Sequence, residues 1–212
     1  MQKILIFLLL IVSCLSCSQS PLPNILWITI EDTSPQFIGY EGNEAVHTPN
    51  IDKLAREGVR FANAFATAPV CSSSRSTLIT GCRTEALGTG NHRSAMPIPD
   101  AILGFPQYLR NLGYYTSNNS KTDYNTSAAR RIIDSAWNES SGKAGWWKRE
   151  SDQNFFSVFN YNSSHQSRTM TNPYLWYKEK VFNKLPDSLR TYPEEIEVPP
   201  FYLDSYEMRK HL

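Results

Sequence analysis

The apolar residues of this chain fall into short continuous runs, separated by segments in which they recur at helical spacing. Residues 24–30 (NILWITI) and 155–161 (FFSVFNY) are continuous apolar and β-branched runs. Such runs are typical of strands that are buried on both faces of a parallel sheet. Residues 59–65 (VRFANAF) and 114–117 (YYTS) are shorter stretches of the same character. The pattern therefore predicts strands at all four places.

Helical segments are predicted between these strands. The first opens with Thr48-Pro49, which suit the N-cap and first helical position, and it ends at Gly58. A second is predicted where the serines of residues 69–75 suit a helix N-cap and the helix-compatible residues 76–80 lead to Gly81, which places Cys71 at or just before the N-terminus. A third covers residues 105–112. The alternation predicts an α/β fold with a mostly parallel sheet flanked by helices.

Residues 138–153 are polar and rich in tryptophan, and they follow none of these patterns. We interpret this segment as an excursion on the surface rather than as a domain boundary. Apart from its first 20 residues, the chain (residues 21–212) is predicted to form one continuous domain.

Residues of types that catalyse reactions or bind metal ions follow the predicted strands. Glu31 and Asp32 come directly after residues 24–30, Lys121 follows the strand at 114–117, and His165 follows the strand at 155–161. Cys71 stands at the start of a helix. Because ligands bind at the carboxyl edge of open α/β sheets, we expect these side chains to gather in one site.

Charge and composition narrow the class of protein. The chain has 212 residues and a formal net charge of +1, with no long acidic or basic block. A near-neutral chain is a poor match for the phosphate backbone, so nucleic acid is excluded as its main partner.

The first 20 residues predict export. Lys3 precedes an apolar run at residues 4–12, which is too short to span a bilayer and is typical of a signal peptide. Cys14 and Cys17 each follow a small residue, as in the lipobox of bacterial lipoproteins, and the pattern does not decide between them. We expect a periplasmic or lipid-anchored protein that meets the membrane only through that anchor; an ordinary cleaved signal is the alternative.

Cys71 and Cys82 are the cysteines of the chain beyond the signal segment. In an oxidising compartment two such thiols predict a disulfide as one interpretation. The residues around Cys71 favour a different interpretation of this thiol.

Residues 71–75 (CSSSR) and 78–81 (LITG) resemble the signature of the formylglycine-dependent sulfatases, in which Cys-x-Pro-Ser-Arg precedes a short helix ending in Thr-Gly. The similarity runs in order from about residue 23 to the C-terminus, and further matching segments are NIL (24–26), TPNIDKLA (48–55), NAF (63–65) and VPPF (198–201). The resemblance implies an alkaline-phosphatase-like α/β fold, of which this chain is the N-terminal portion, incomplete at the C-terminus.

The same resemblance implies roles for individual residues. Cys71 is implied to be converted to formylglycine by a formylglycine-generating or an anaerobic maturation enzyme. Arg75 is implied to hold the hydrated aldehyde, Lys121 to bind sulfate, and His165 to bind sulfate or protonate the leaving group. One Ca²⁺ is implied, bound by Glu31, Asp32 and residue 71.

The implied activity is hydrolysis of sulfuric esters on a sulfated glycan. Residues 31–35 and 118–121 resemble bacterial sequences near the heparan N-sulfatases, which favours a glycosaminoglycan substrate. His92 and Arg93 are further candidates for substrate contact by position alone. Three residues depart from the family pattern: Ser73 stands for proline, Glu31 for aspartate and Asp123 for histidine.

Two alternatives stand beside this prediction. Phosphatases and phosphodiesterases of the same superfamily use serine or threonine with two metals, which Cys71 and Arg75 disfavour. An inactive surface lipoprotein that binds sulfated glycan is the other, because the family's second set of metal ligands falls beyond Leu212.

Overall fold

The computed structural model describes residues 22–212, so the predicted signal segment with Cys14 and Cys17 lies outside the described residues. A four-stranded sheet has the order β1-β4-β2-β3, and every neighbouring pair is parallel. Its strands are β1 (Ile25–Ile30), β2 (Tyr115–Asn119), β3 (Glu139–Ser140) and β4 (Phe155–Tyr161). The predicted parallel α/β arrangement is confirmed.

Helices connect and flank the strands. Those that the structure describes are α1 (Pro49–Glu57), α2 (Cys71–Thr80), α3 (Thr84–Leu87), α4 (Pro106–Asn111), α5 (Ala129–Ala136), α6 (Ser167–Thr171), α7 (Tyr174–Lys180) and α8 (Tyr206–His211). The predicted limits of α1 and α2 agree with these bounds. α2 ends at Gly81, whose φ of 69° is the left-handed conformation that glycine adopts without a steric penalty.

The hydrophobic core lies between one face of the sheet and the helices that cover it. Phe156 and Val158 of β4 pack with Ile79 of α2 and Ile132 of α5, and all four are buried. Phe156 also lies in an aromatic cluster, with its ring centroid 5.8 Å from that of the buried Trp137. This packing fixes α2, and therefore Cys71, against the central strand of the sheet.

The opposite face of β1 is not buried in the described part of the chain. Leu26 and Ile28 are each 49% exposed, whereas the alternate residues Ile25 and Trp27 pack on the core. The prediction of a strand buried on both faces is therefore wrong for β1.

Two further predictions need correction. Residues 59–65 form no strand, and Val59, Phe61 and Phe65 are each at least 80% exposed. Their apolar character is not enough, because no neighbouring strand among the described residues pairs with them.

The segment 138–153 contributes to the sheet and is not only a surface excursion. Glu139 and Ser140 pair with β2. Trp146 packs on β4, with ring centroids 5.3 Å from Phe155 and 5.5 Å from Phe159.

Within residues 22–212 we find no helix that combines the length and the apolar character needed to cross a membrane.

Candidate active site

The carboxyl edge of the sheet carries the candidate site. Glu31 directly follows β1, Lys121 follows β2, and His165 follows β4, while Cys71 is the first residue of α2. Parallel strands place these chain ends at one edge, and the side chains approach one another as the topology predicts.

Cys71 lies at the centre of this group. Its Sγ atom is 3.8 Å from Oε2 of Glu31 and 3.9 Å from Nε2 of His165. Cys71 is partly exposed and lines a pocket. The N-terminus of α2 also offers backbone N–H groups and a favourable dipole to an anion held here.

The serines after Cys71 do not cap the helix as predicted. Val70 occupies the N-cap and no side chain caps the amide groups. Ser72 Oγ instead lies 2.8 Å from Nδ1 of His92, and Ser73 Oγ donates to the carbonyl oxygen of Gly90 at 2.9 Å. Both side chains turn inward because they are buried and need polar partners. They attach the loop at residues 90–93 to the start of α2.

Arg75 holds the site together, one helical turn after Cys71. Its Nη2 atom donates to Oδ1 of Asn160 at 2.5 Å and to the carbonyl oxygen of Lys121 at 2.7 Å. Nε donates to the carbonyl oxygen of Thr122 at 3.0 Å. Because the guanidinium group is planar and rigid, these bonds fix Arg75 against the end of β4 and the segment that follows β2.

Glu31 accepts charge-assisted hydrogen bonds from two cations. Nζ of Lys121 is 2.6 Å from Oε2, and Nη1 of Arg75 is 3.3 Å from Oε1. The three side chains are 7%, 15% and 13% exposed for Glu31, Lys121 and Arg75 respectively. One carboxylate facing two cations leaves a surplus positive charge, which favours binding of an anion.

Asp32 has its hydrogen-bond partner in the loop that follows β4. Its Oδ2 atom accepts a hydrogen bond from the backbone N–H of Gln166 at 2.8 Å, and its φ of 48° is left-handed. The Oγ atom of Ser164 donates to the carbonyl oxygen of Glu31 at 2.5 Å. The acidic pair after β1 therefore positions the loop that carries His165, and Glu31 also contacts Cys71.

One set of possible metal donors lies close together in the described residues. Single donor atoms of Glu31, Cys71 and His165 all lie within 4.8 Å of one another. Asp32, predicted from the sequence as a metal ligand, is not in this group, and His165, predicted for sulfate or the leaving group, is.

A second pair of charged residues lies beside the site. Arg93 and Asp123 form an ion pair with Nε to Oδ1 at 3.3 Å, and they have φ values of 52° and 48°. The hydrogen bond to Asp123 raises the pKa of the Arg93 guanidinium group. The backbone N–H of Arg93 also donates to Ser72 Oγ at 3.0 Å, which places this loop next to the residue that follows Cys71.

An open pocket of about 420 Å³ includes the Cys71 side of the site, and its lining includes Glu31, Asp32, Cys71, Ser74 and Arg75. A smaller pocket of about 250 Å³ has Lys121, Asn162 and His165 in its wall. The anionic group of a ligand could therefore reach the cluster from solvent.

Comparison with known proteins decides the family, because residues 23–207 match the family model described as Sulfatase. The chain belongs to the sulfatase family. It is 38% identical over 158 residues to an ulvan-active sulfatase of Formosa agariphila, covering 68% of this chain and 26% of that protein. It is 34% identical over 103 residues to the N-acetylgalactosamine-6-sulfatase of Sus scrofa, covering 43% of this chain and 20% of that protein.

Solved structures have the same fold. The sulfatase chain aligns with a protein solved in complex with its substrate D-glucosamine-2-N,6-O-disulfate at a TM-score of 0.57 and 19% identity, covering 78% of this chain and 39% of the other. A putative sulfatase from Bacteroides thetaiotaomicron aligns at 0.56 and 17% identity, covering 68% and 36%. The predicted alkaline-phosphatase-like architecture is confirmed. The chain spans about a quarter of the length of the Formosa agariphila sulfatase and about a fifth of that of the Sus scrofa sulfatase.

The disulfide considered for this sulfatase chain is absent between the two described cysteines. Cys71 and Cys82 are both free thiols. They lie at opposite ends of α2, whose ten residues span about 15 Å at 1.5 Å per residue, well beyond the reach of a disulfide.

Asn160 is a site residue that sequence reasoning missed. It lies in β4 near the carboxyl end, where it accepts from Arg75 and donates through Nδ2 to Oδ1 of Asn118 at 3.0 Å. A polar residue at the end of an otherwise apolar strand was the available signal.

Proposed function

We propose that this protein is a sulfatase that hydrolyses sulfate groups of a sulfated glycan, with residue 71 acting as a formylglycine nucleophile. The observation that carries the proposal is the position of Cys71 at the start of α2. There its Sγ atom is 3.8 Å from Glu31 and 3.9 Å from His165, beside the cations Arg75 and Lys121. A nucleophile, a proton donor and anion-binding groups thus form one cluster at the carboxyl edge of the sheet.

The names of proteins similar to this chain support the substrate class. Ulvan-active and N-acetylgalactosamine-6-sulfatases are among the similar sequences, and one protein of similar fold was solved with D-glucosamine-2-N,6-O-disulfate. We infer that the substrate is a sulfated polysaccharide or a fragment of one. The apolar run at residues 4–12 supports export to the periplasm or to a lipid-anchored position.

The proposed reaction needs two oxygens on residue 71. Oxidation of Cys71 by a maturation enzyme gives an aldehyde, and its hydrate carries two hydroxyl groups. One hydroxyl loses its proton and attacks sulfur, and the bond from sulfur to the alcohol oxygen breaks. The other then loses its proton and re-forms the carbonyl, which expels sulfate and restores the aldehyde for hydration. A thiol lacks the second hydroxyl and cannot regenerate itself in this way.

Each neighbouring side chain has a task in this scheme. His165 reaches residue 71 through Nε2, where a proton can pass to the departing alcohol oxygen. Lys121 and Arg75 hold the sulfate oxygens or the charge that develops on them. Arg75 is held by Asn160 and by two main-chain carbonyl oxygens, so its guanidinium group needs little reorganisation during the reaction.

Calcium fits part of the donor set. A hard cation takes oxygen ligands, and Glu31 presents a carboxylate oxygen toward residue 71, which itself becomes an oxygen donor after conversion. Asp32 retains acceptor capacity beyond its bond to Gln166. We propose that Glu31, Asp32 and residue 71 hold the ion. When bound, Ca²⁺ supplies positive charge that polarises the sulfate oxygens.

The test uses the full-length protein, produced together with a maturation enzyme. Mass spectrometry of the peptide containing residue 71 should show the aldehyde, and sulfate should be released from sulfated oligosaccharides. The Cys71→Ala variant should release none, whereas the matched variant Cys82→Ala should keep activity because Cys82 lies at the other end of α2. Removal of divalent cations by a chelator should lower the rate.

Two results would overturn the proposal. Sulfate release by Cys71→Ala equal to that of the unmodified protein excludes the nucleophile. Binding of the oligosaccharides without any release by aldehyde-bearing protein indicates a glycan-binding protein instead.

A further inference from the structure

Cys71, His165 and Glu31 present a sulfur, a nitrogen and an oxygen donor to a common centre in the unconverted protein. All three ligand atoms lie within 4.8 Å of one another. The Glu31 side chain is 7% exposed, and the other two residues are partly buried. Thiolate, imidazole and carboxylate are together the ligands of zinc, whereas calcium takes oxygen ligands.

The distances agree with tetrahedral coordination. Zn–S bonds of about 2.3 Å and Zn–N or Zn–O bonds of about 2.0–2.2 Å place the sulfur roughly 3.6 Å from each other donor at a tetrahedral angle. The observed separations from Sγ are 3.8 Å to Glu31 and 3.9 Å to His165. These two separations are within about 0.3 Å of the tetrahedral value, and the three donor atoms all lie within 4.8 Å of one another.

Ser167 contacts the other ring nitrogen of His165 and influences its tautomer. Its Nδ1 atom lies 2.8 Å from Oγ of Ser167, which can accept an Nδ1–H and leave the Nε2 lone pair facing Cys71. Metal-binding histidines usually donate their other ring N–H in this way. The backbone N–H of Ser167 is 3.2 Å from the same nitrogen, and it favours the tautomer with the proton on Nε2 when no metal is bound.

Nearby positive charges lower the affinity for Zn²⁺ but do not exclude its binding. The Cys71 thiolate and the Glu31 carboxylate balance the two charges of Zn²⁺, while Lys121 and Arg75 remain as nearby cations. The pocket beside Cys71 leaves a fourth position open to water or to an anion that offsets them. Three protein ligands and one open position are the usual arrangement of accessible zinc sites.

We propose that the cysteine form of this protein binds one Zn²⁺ through Cys71 Sγ, His165 Nε2 and a carboxylate oxygen of Glu31. The thiol loses its proton to solvent as the Zn–S bond forms. Conversion of Cys71 to formylglycine removes the sulfur and with it this site. The unconverted and converted forms therefore differ in the metal they select. The inference needs only the thiol and is independent of the proposed hydrolysis.

The test uses untagged full-length protein from a host that lacks a maturation enzyme, with the intact thiol verified by mass spectrometry. Co²⁺ is added as a spectroscopic substitute for zinc. We expect a thiolate-to-cobalt absorption band that saturates at one equivalent and disappears when Zn²⁺ is added. His165→Ala should weaken binding at least tenfold, and Cys71→Ser should abolish the band.

Cys82→Ser is the matched control, because it removes a thiol outside the cluster, and it should leave the band unchanged. A band that persists in Cys71→Ser comes from another cysteine and overturns the proposal. Absence of the band in the unmodified protein, or equal affinity in folded His165→Ala protein, also overturns it. Circular dichroism verifies the fold of each variant, and His165→Gln replaces His165→Ala if the latter does not fold.

Discussion

Nζ of Lys121 lies 2.6 Å from Oε2 of Glu31, and both side chains are largely buried at the carboxyl edge of the sheet. Arg75 contacts the other oxygen of the same carboxylate at 3.3 Å. Lys121 and Arg75 are therefore both paired with the carboxylate of Glu31. Loss of Glu31 leaves two buried positive charges unpaired, whereas loss of Lys121 leaves Glu31 with Arg75.

This asymmetry predicts unequal effects of two substitutions. Glu31→Gln should lower the free energy of unfolding by about 3–5 kcal/mol, as expected for breaking a buried ion pair. Lys121→Met should lower it by about 1–3 kcal/mol, since one charged hydrogen bond is lost. Urea unfolding measures both, and the double variant should lose less than the sum of the two.

The exposed pair Lys53–Glu57, with a separation of 3.9 Å, provides the control. Lys53→Met should change the free energy of unfolding by no more than about 0.5 kcal/mol. A larger loss for Lys121→Met than for Glu31→Gln would contradict the interpretation.

Arg93 is predicted to contact substrate without supporting the fold. Its side chain is 64% exposed, and its backbone is fixed to Ser72 next to Cys71. If a negative group of the glycan reaches the guanidinium, Arg93→Ala should raise KM about tenfold or more, the value of one charged hydrogen bond. kcat should change little, because such a contact is equal in the ground and transition states.

Arg130→Ala is the matched control, since that side chain is 84% exposed and pairs only with Asp134 within α5 among its described ion pairs. It should leave KM unchanged. An unchanged KM for Arg93→Ala, or a fall in its free energy of unfolding beyond about 0.5 kcal/mol, would count against substrate contact.

The sequence predicted the parts of the fold that depend on continuous apolar runs. Residues 24–30 and 155–161 form β1 and β4 because their side chains can pack in a sheet. Residues 59–65 are also rich in apolar side chains, but they pair with no strand in the described part of the chain, since the topology decides pairing. β3 was missed for the opposite reason: its two polar residues pair through main-chain bonds with β2, and no side-chain pattern marks them.

The arrangement of the site could also be predicted only in part. Glu31, Lys121 and His165 could be placed together because strand ends meet at one edge of a parallel sheet. The partners of Ser72 and Ser73 could not, because they are 20 and 17 residues away in a loop of irregular structure. The preference of serine for helix N-caps predicts that Ser72 and Ser73 cap the helix. Because both are buried, they bond to the loop instead.

Asn125 should be essential to that loop. It is 1% exposed, and its Nδ2 donates to the carbonyl oxygens of Thr89, at 2.7 Å, and of Asn91, while Oδ1 accepts from the N–H of Ser94 at 2.6 Å. Asn125→Asp keeps the shape but replaces a donor with an acceptor facing two carbonyl oxygens. Each buried carbonyl group left without a partner costs about 1–3 kcal/mol.

We therefore expect Asn125→Asp to destabilise the protein more than Asn125→Ala, which removes the bonds without adding charge. Urea unfolding compares them, and hydrogen exchange should show faster exchange at residues 90–94 in both variants. Equal stability of Asn125→Asp and the unmodified protein would contradict the assigned hydrogen bonds.

The edge strand β3 predicts a pH dependence of stability. A hydrogen bond from Lys148, at 2.7 Å, lowers the pKa of Glu139, and Ser141 adds to the effect. A carboxyl group whose pKa is lower in the folded than in the unfolded state contributes its full stabilisation of the fold above its unfolded pKa of about 4.3. That contribution is lost as the pH falls through the folded value.

Lys148→Met should therefore lower the free energy of unfolding at neutral pH, by less than about 1 kcal/mol because Lys148 is half exposed. The difference from the unmodified protein should shrink on acidification, because Glu139 is then protonated in both. Urea unfolding from pH 7 to the acid limit of the folded state measures this difference. Lys143→Met, at a nearby exposed lysine, should show no such trend. A difference for Lys148→Met that stays constant across this range would mean that Lys148 stabilises through its alkyl chain and not through the carboxylate of Glu139.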